Sequence, residues 1–187
     1  MIKNIQVVII GGSAGSLEVL LQVVPQLPAG LGAAIVLVLH RKSGDDATLE
    51  HLFAVKGDIP VIEIEDKTQL RPGHLYIAPA DYHLLFETDG RLSLDVSEKI
   101  NYSRPSIDVA FESAADAYGA SLMGVLLSGS NTDGTIGLAA IREAGGTIVV
   151  QDPDTADMPV MPQSAIDNQT PHYVVDPREL RDLLSEL

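Results

Sequence analysis

The chain has 187 residues, of which 12 are Lys or Arg and 26 are Asp or Glu, so its formal charge at pH 7 is −14. A protein this acidic is poorly suited to bind nucleic acid or an anionic membrane surface. With 45% hydrophobic and 20% charged residues, its composition is that of a globular protein and excludes extensive disorder. The length fits one domain, which we expect to span residues 1–187.

The sequence contains no cysteine, so disulfides, thiolate nucleophiles and Cys-ligated metal sites are excluded. Its longest apolar runs have about eight residues, far fewer than the roughly 20 that a membrane-spanning helix needs. None of the five histidines forms an H-x-x-x-H or H-E-x-x-H pair, and no metal or other cofactor is predicted. These features favour a cytoplasmic protein without membrane insertion.

Short β-branched runs alternate along the chain with segments of helical periodicity. Residues 5–10 and 33–39 are continuous apolar runs, typical of buried parallel strands, and 61–64 is a third predicted strand. A turn is predicted over 11–16, a helix directly after it, and another helix over 45–56. The first of these helices is expected to bury one apolar face: Leu17, Leu20, Leu21 and Val24.

The middle of the chain changes to strict alternation of apolar and polar residues. Segments 83–87 and 91–95 flank Thr88-Asp89-Gly90, a turn signal, and predict a β-hairpin attached to the main sheet. Ser106 is well placed to cap a helix that runs to about Tyr118.

The last third of the chain returns to alternating strands and helices. Strands are predicted over 122–127 and 147–151, with a helix over 137–144 between them. A final helix begins at Asp176, where the Asp cap is followed by Pro and then by Glu at the third position. The whole pattern predicts an α/β fold of three layers, α/β/α, with a doubly wound, mostly parallel sheet and an inserted β-hairpin.

Three polar residues follow predicted strands, at the edge where α/β sheets bind their ligands. Ser13 follows the first strand, His40 ends the second, and Asp133 lies in the loop after 122–127. A serine hydroxyl becomes a good nucleophile when an imidazole accepts its proton and a carboxylate orients that imidazole. The three residues are therefore candidates for a Ser-His-Asp triad.

The segment around Ser13 has the G-x-S-x-G pattern, which lets a strand turn sharply into a helix and expose the hydroxyl. Gly12 and Ala14 flank Ser13, and backbone amides from Ala14 onward are candidate donors to the negative oxygen of a tetrahedral intermediate. The loop that contains Ser130 and Asn131 is a candidate for a second donor.

Each of these motifs also has another interpretation. The Gly-rich turn could cradle a phosphate, as in nucleotide-binding α/β modules. The second strand ends in His40-Arg41-Lys42 instead of the acid typical of NAD sites, which disfavours NAD but suits a 2′-phosphate. By itself, His40 could be a structural histidine and Asp133-Gly134 a turn. A nucleotide- or phosphate-binding module therefore remains an alternative.

The chain resembles the catalytic domain of the chemotaxis protein-glutamate methylesterases from its first strand to about Ile166. The resemblance rests on ordered motifs: I-G-G-S-A-G-S at 10–16, the strand-end His40, I-A-P-A-D-Y-H-L at 77–84, R-P-S-I-D at 104–108, L-S-G-S-N-T-D-G at 127–134 and M-P-Q-S-A-I at 161–166. It implies a serine esterase that removes methyl esters from chemoreceptor glutamates through an acyl-enzyme and that can also deamidate receptor glutamines. It makes Ser13 the nucleophile, His40 the general base and acid, and Asp133 the residue that orients His40.

The chain departs from the family pattern beside each of these three residues. The family usually has Ser-Thr-Gly-Gly, then His followed by Met or Leu and Pro, and Gly-Met-Gly before the last Asp. Here the corresponding segments are Ser13-Ala14-Gly15-Ser16, His40-Arg41-Lys42 and Gly129-Ser130-Asn131. The three residues are kept while their neighbours change, and a catalytically silent receptor-binding homologue is therefore a further alternative.

The resemblance also implies partners, namely the methylated cytoplasmic helices of chemoreceptors. Those helices are acidic like this chain, so Arg41, Lys42 and Arg104 are candidates for a local basic patch that offsets the repulsion. Family members commonly carry an N-terminal phospho-receiver domain. This chain begins a few residues before its first strand, so we expect either constitutive activity or a separate receiver protein that acts in trans.

Overall fold

The computed structural model describes residues 4–41 and 46–187. Lys42 of the predicted basic patch and Asp45 of the predicted helix start lie outside the described residues. The strands are β1 (Val7–Gly12), β2 (Ala34–Leu39), β3 (Val61–Glu63), β4 (Thr68–Gln69), β5 (Leu75–Ile77), β6 (His83–Phe86), β7 (Arg91–Asp95), β8 (Leu122–Leu126), β9 (Thr147–Gln151) and β10 (Tyr173–Val175). The α-helices are α1 (Ser16–Val23), α2 (Asp46–Lys56), α3 (Ile107–Tyr118), α4 (Thr135–Glu143), α5 (Val160–Asn168) and α6 (Pro177–Ser185).

The main sheet is parallel, and its strand order across the described residues is β10-β9-β8-β1-β2-β5-β3. One apolar cluster packs α1, α2 and α6 on one face, and a second packs α3, α4 and α5 on the other. The predicted three-layer, doubly wound α/β fold is therefore confirmed. The chain winds outward from β1 in both directions, so the crevice between β1 and β8 is the switch point at which such folds bind ligands.

Strand β1 extends further than predicted, because Gly11 and Gly12 pair with Val38 and Leu39 instead of forming a turn. A Cβ atom on Gly11 would lie 2.5 Å from Cγ2 of Ile107. The glycine thus lets the first turn of α3 pack directly on the sheet.

The buried face of α1 differs from the prediction. Leu20 and Val24 are buried and Leu21 is half-buried, but Leu17 is 38% exposed. The helix begins at Ser16, whose hydroxyl donates to the carbonyl of Ser13 at 2.6 Å. This hydrogen bond turns Ser16 inward and leaves Leu17 at the surface.

The predicted hairpin is present as β6 and β7, but it does not extend the main sheet. It pairs with β4 in a separate antiparallel sheet of order β4-β7-β6. The reason is its alternation, which gives the hairpin one apolar face that packs toward α3 with Leu84, Phe86 and Leu92 buried.

Three elements, β4, β5 and α5, were not predicted. Strand β5 has three residues and lies inside the alternating segment, where so short an apolar run carries no signal of its own. Helix α5 contains Pro162, which usually indicates a break, but the proline lies in the first helical turn where its missing N–H costs nothing. Within residues 4–41 and 46–187, no helix combines the length and the apolar character that crossing a membrane requires.

Both predicted helix caps are confirmed. The Ser106 hydroxyl accepts a hydrogen bond from the amide of Val109 at the start of α3. Asp176 accepts from the amides of Arg178 and Glu179, and the Glu179 carboxylate accepts from the Asp176 amide, which completes a capping box at α6.

Replacing Asp176 by Ala should lower the free energy of unfolding by about 1 kcal/mol, because amides at the start of α6 lose their partner. Urea denaturation measures the change. Asp182→Ala is the matched control, since it removes an exposed acid from the interior of the same helix, and it should cost less than about 0.5 kcal/mol. Equal losses in the two variants would contradict the assigned cap.

Candidate active site

Ser13, His40 and Asp133 all lie at the carboxyl edge of the main sheet. Strand β1 lies between β2 and β8, and the three residues follow the carboxyl ends of these neighbouring strands. The amide of His40 donates to the carbonyl of Gly12 at 3.1 Å, which continues the β1–β2 ladder to the level of Ser13. Sequence positions far apart in the chain are thus brought to one edge by strand order.

His40 and Asp133 are joined directly. Nε2 of His40 lies 2.7 Å from Oδ2 of Asp133, whose residue is 1% exposed, while the His40 side chain is 13% exposed. Because a carboxylate can only accept, Nε2 carries the hydrogen and donates it. In the neutral ring Nδ1 is then the nitrogen with a free lone pair, available to take a proton.

The Asp133 carboxylate also binds the amino end of α3. Oδ2 accepts from the amide of Ile107 at 2.7 Å, and Oδ1 accepts from the amide of Asp108 at 3.0 Å and from the hydroxyl of Ser106 at 3.1 Å. Burial acts to raise the pKa of Asp133, but the hydrogen bonds from His40 and these amides outweigh it and hold the pKa below its usual value. The carboxylate is therefore ionised at neutral pH.

Two residues of the loop that carries Asp133, Asn131 and Gly134, fix its conformation. Oδ1 of Asn131 accepts from the Asp133 amide at 3.1 Å, a local turn that aims the carboxylate inward. Gly134 has φ of +93°, and a Cβ atom there would lie 2.6 Å from Cδ1 of Leu126. Asn131 and Gly134 thus orient Asp133, whereas Ser130 is exposed beside them.

Ser13 lies in the wall of a cavity of about 240 Å³ that His40 also lines. The rest of this nucleophile cavity is largely apolar and includes Leu39, Leu49 and Leu52. Among the described residues, the Ser13 hydroxyl makes no hydrogen bond. The structure therefore brings Ser13 and His40 into one cavity without joining their side chains.

The backbone around Ser13 is fixed by hydrogen bonds on both sides. The Ser13 amide donates to the carbonyl of Ser128 at 2.9 Å, and the Ser13 carbonyl accepts from the Ser16 amide at 3.1 Å. Within the described part of the chain, the Ala14 amide donates to no other group. Gly129 is not available as a donor, because its amide bonds the carbonyl of Met158 at 3.0 Å.

A buried polar network that the sequence analysis missed supports this loop. Oγ of Ser128 donates to the carbonyl of Ala14 at 2.7 Å and accepts from the Met158 amide at 2.9 Å. The Ser128 amide donates to Oε1 of Gln151 at 2.9 Å, and Nε2 of Gln151 donates to the carbonyl of Thr155 at 3.1 Å. The network ties the Ser13 loop to residues 155–158. A buried glutamine at the end of an apolar strand was the available signal.

The structure also assigns roles to residues that had none in the sequence analysis. His83 is buried, with Nδ1 accepting from the Ser106 amide at 3.1 Å, so it supports the start of α3. Asp108 is buried beside Asp133, and its Oδ1 accepts from the Gly137 amide at 2.7 Å. In the described residues, no three His, Asp or Glu side chains are grouped as metal ligands.

Burial and, after it, the nearby charge of Asp133 raise the pKa of Asp108 to about 6, against the opposing effect of the hydrogen bond from Gly137. In the unfolded chain this carboxyl has a pKa near ~3.9. The folded state therefore binds the proton more tightly, and the stability from this group is fully present below about pH 4 and lost as the pH rises through about 6.

Asp108→Asn keeps an acceptor for Gly137 and removes this pH dependence. The free energy of unfolding of the variant and of wild type is measured by denaturant titration at each pH. The difference, variant minus wild type, should increase between about pH 4 and about pH 6 and stay constant above that range. Asp116→Asn removes a charge from the exposed face of the same helix and is the control. A difference between Asp108→Asn and wild type that does not vary with pH would refute the assignment.

Comparison with known proteins places these observations in a family. The family model described as CheB methylesterase matches residues 8–184. A Leptospira interrogans protein with the provisional name protein-glutamate methylesterase/protein-glutamine glutaminase is 40% identical over 184 residues, which cover 98% of this chain and 95% of that protein. The Thermotoga maritima protein-glutamate methylesterase/protein-glutamine glutaminase is 35% identical over 185 residues, 97% of this chain and 54% of that protein.

A solved structure agrees with the sequence comparisons. The crystal structure of the Thermotoga maritima CheB methylesterase catalytic domain superposes with a TM-score of 0.93 at 34% identity, covering 97% of this chain and 98% of that one. The resemblance that the motifs indicated is thereby confirmed, as is an enzyme of this type. The chain belongs to the CheB methylesterase family.

Proposed function

We propose that residues 1–187 form a single catalytic domain, a cytoplasmic serine hydrolase that removes methyl esters from glutamate side chains of chemoreceptors. The observation that carries the proposal is the hydrogen bond between the buried, ionised Asp133 and His40. His40 in turn lines the same cavity as Ser13. The names of the relatives, protein-glutamate methylesterase/protein-glutamine glutaminase, support this substrate class. The small apolar cavity suits a methyl ester better than a free carboxylate.

In the first step, Oγ of Ser13 attacks the ester carbonyl carbon while Nδ1 of His40 accepts the hydroxyl proton. This step requires Oγ of Ser13 to come within hydrogen-bond distance of that nitrogen, and catalytic hydrogen bonds often close only when substrate is bound. Asp133 stabilises the imidazolium that forms. Its charge is already held by the amides of α3, so the site needs little reorganisation.

The tetrahedral intermediate places a negative charge on the former carbonyl oxygen. The Ala14 amide precedes α1, whose amino end favours negative charge, and is our candidate for the first donor. Ser130 and Asn131 lie in the loop that is the candidate for a second donor. Each well-aimed donor contributes about 3–4 kcal/mol in related sites.

The intermediate then collapses to an acyl-enzyme. The carbon–oxygen bond to the methoxy group breaks, the His40 imidazolium gives its proton to that oxygen, and methanol leaves. Water attacks the acyl group while His40 takes one of its protons, the bond to Ser13 Oγ breaks as His40 returns that proton to Oγ, and the glutamate side chain is released. A glutamine substrate gives the same acyl-enzyme with ammonia as the leaving group, so deamidation is a second proposed activity.

The phosphate-binding alternative is less well supported. A phosphate cradle needs free backbone amides in the Gly-rich turn. The amides of Ser13 and Ser16 are both used inside the protein, by the carbonyls of Ser128 and Ser13. Calorimetry with NADP should accordingly detect no tight binding.

Ser13→Ala should abolish the release of methanol from methylated receptor membranes, because no acyl-enzyme can form. It should also abolish labelling by a fluorophosphonate probe. Ser185→Ala, in α6, is the control and should keep both. Equal methanol release by wild type and Ser13→Ala would exclude the proposed mechanism, and a wild type that binds receptors without probe labelling would favour the silent homologue.

Asp133→Asn should lower turnover by on the order of 10⁴-fold. The amide nitrogen of the new side chain would donate to Nε2 of His40, which moves the ring hydrogen to Nδ1 and blocks proton transfer from Ser13. Steady-state kinetics on the methylated substrate test this, with circular dichroism to show that the variant is folded. A folded variant with a loss below tenfold would show that Asp133 does not control His40 in this way.

A further inference from the structure

A second and larger cavity, of about 490 Å³, adjoins the nucleophile cavity. The two cavities share His40 and Arg41 in their walls. We call the larger one the basic cleft, because Arg41, Lys99 and Arg104 line it, whereas Asp81 is the one carboxylate among the described residues of its wall. This is an excess of cations in a chain with 12 basic and 26 acidic residues.

Arg104 contributes a fixed positive charge to the basic cleft. Its Nη1 donates to the carbonyls of Val96 and Ser97 at 3.0 and 2.8 Å, which anchors the guanidinium to the chain. Its Nε is buried and has no hydrogen-bond partner among the described residues. A buried donor without a partner is costly. The positive charge of the anchored guanidinium favours an anionic ligand in the cleft that Arg104 lines.

Lys99 contributes a charge that no neighbour neutralises within residues 4–41 and 46–187. Its side chain makes no hydrogen bond or ion pair there, and the residue is exposed. Lys67, by contrast, is paired with Glu87. The ammonium of Lys99 is therefore available to an incoming carboxylate.

Tyr102 borders the same cleft with its side chain exposed to solvent. The residue is 98% exposed and has φ of +65°, after Asn101 with φ of +48°. Bulky residues rarely adopt this left-handed conformation, and such strain concentrates at functional loops. An exposed aromatic ring beside three cations is suited to contact a peptide that enters the cleft.

We propose that the basic cleft binds a free carboxylate of the substrate close to the methyl-esterified glutamate, so that the enzyme prefers esters in acidic segments. This inference rests on the proposed function. The shared His40 and Arg41 wall suits side chains that are neighbours in one peptide, which on a helix means about 5–6 Å between Cβ atoms. Local attraction then acts within the screening length of roughly 8–10 Å, where the net charge of the whole chain matters less.

Two synthetic peptides test the proposal. Each contains one glutamate γ-methyl ester, flanked by Glu in one peptide and by Gln in the other. Binding of both to the Ser13→Ala protein is measured by fluorescence anisotropy at low and high salt. The Glu-flanked peptide should bind on the order of tenfold more tightly at low salt, and the ratio should fall at high salt.

Lys99→Glu in the Ser13→Ala background should reduce that ratio to about one or below, since the cleft loses its unpaired cation. Lys56→Glu makes the same change of charge in the last turn of α2, which runs back to the amino edge of the sheet, and is the matched control. It should preserve the preference. Comparing the two variants separates the effect of the cleft on binding from the effect of the overall charge of the protein.

Equal affinity for the two peptides, a ratio unchanged by Lys99→Glu, or no binding of either peptide would overturn the proposal. The outcome is distinct from that of the proposed function, because binding to Ser13→Ala needs no catalysis. If wild type and Ser13→Ala release methanol equally while the peptide preference persists, the mechanism fails and the cleft assignment stands.

Discussion

The arrangement of the site depends on one buried carboxylate. Asp133 is enclosed by the sheet and by the first turn of α3, and it would be costly to ionise there without compensation. The amides of Ile107 and Asp108 and the ring of His40 supply that compensation together. The same hydrogen bonds that keep Asp133 charged also fix the orientation of His40, so the electrostatics and the geometry of the site have one origin.

Several features of the fold serve this contact. Gly11 lets α3 pack closely on β1, Ser106 and His83 define where α3 begins, and Gly134 starts α4 without a side chain to clash with Leu126. The same packing also buries Asp108 beside Asp133. It is a second carboxyl close to the first, and its burial together with the neighbouring charge of Asp133 leaves it the easier of the two to protonate.

The sequence predicted the strands that carry Ser13, His40 and Asp133, because long apolar runs and strand-end polar residues are local patterns. It also predicted both capping residues, Ser106 and Asp176. It did not predict that Asp133 binds the amides of α3, since backbone donors look alike in any sequence and only tertiary packing selects them. Ser128 and Gln151 were missed for the same reason, and β5 was too short to be distinguished from its alternating surroundings.

The use of Nε2 to hold Asp133 has a consequence for how nucleophile and base are spaced in the proposed mechanism. It leaves Nδ1, the ring nitrogen nearest the main chain, as the free nitrogen of His40, and Ser13 and His40 follow adjacent strands, which lie about 4.8 Å apart in a β-sheet. The spacing of their backbones is therefore set by the interstrand hydrogen bonds, which continue as far as the amide of His40. In the proposed mechanism, the distance between nucleophile and base thus depends on strand pairing together with the side-chain rotamers of Ser13 and His40.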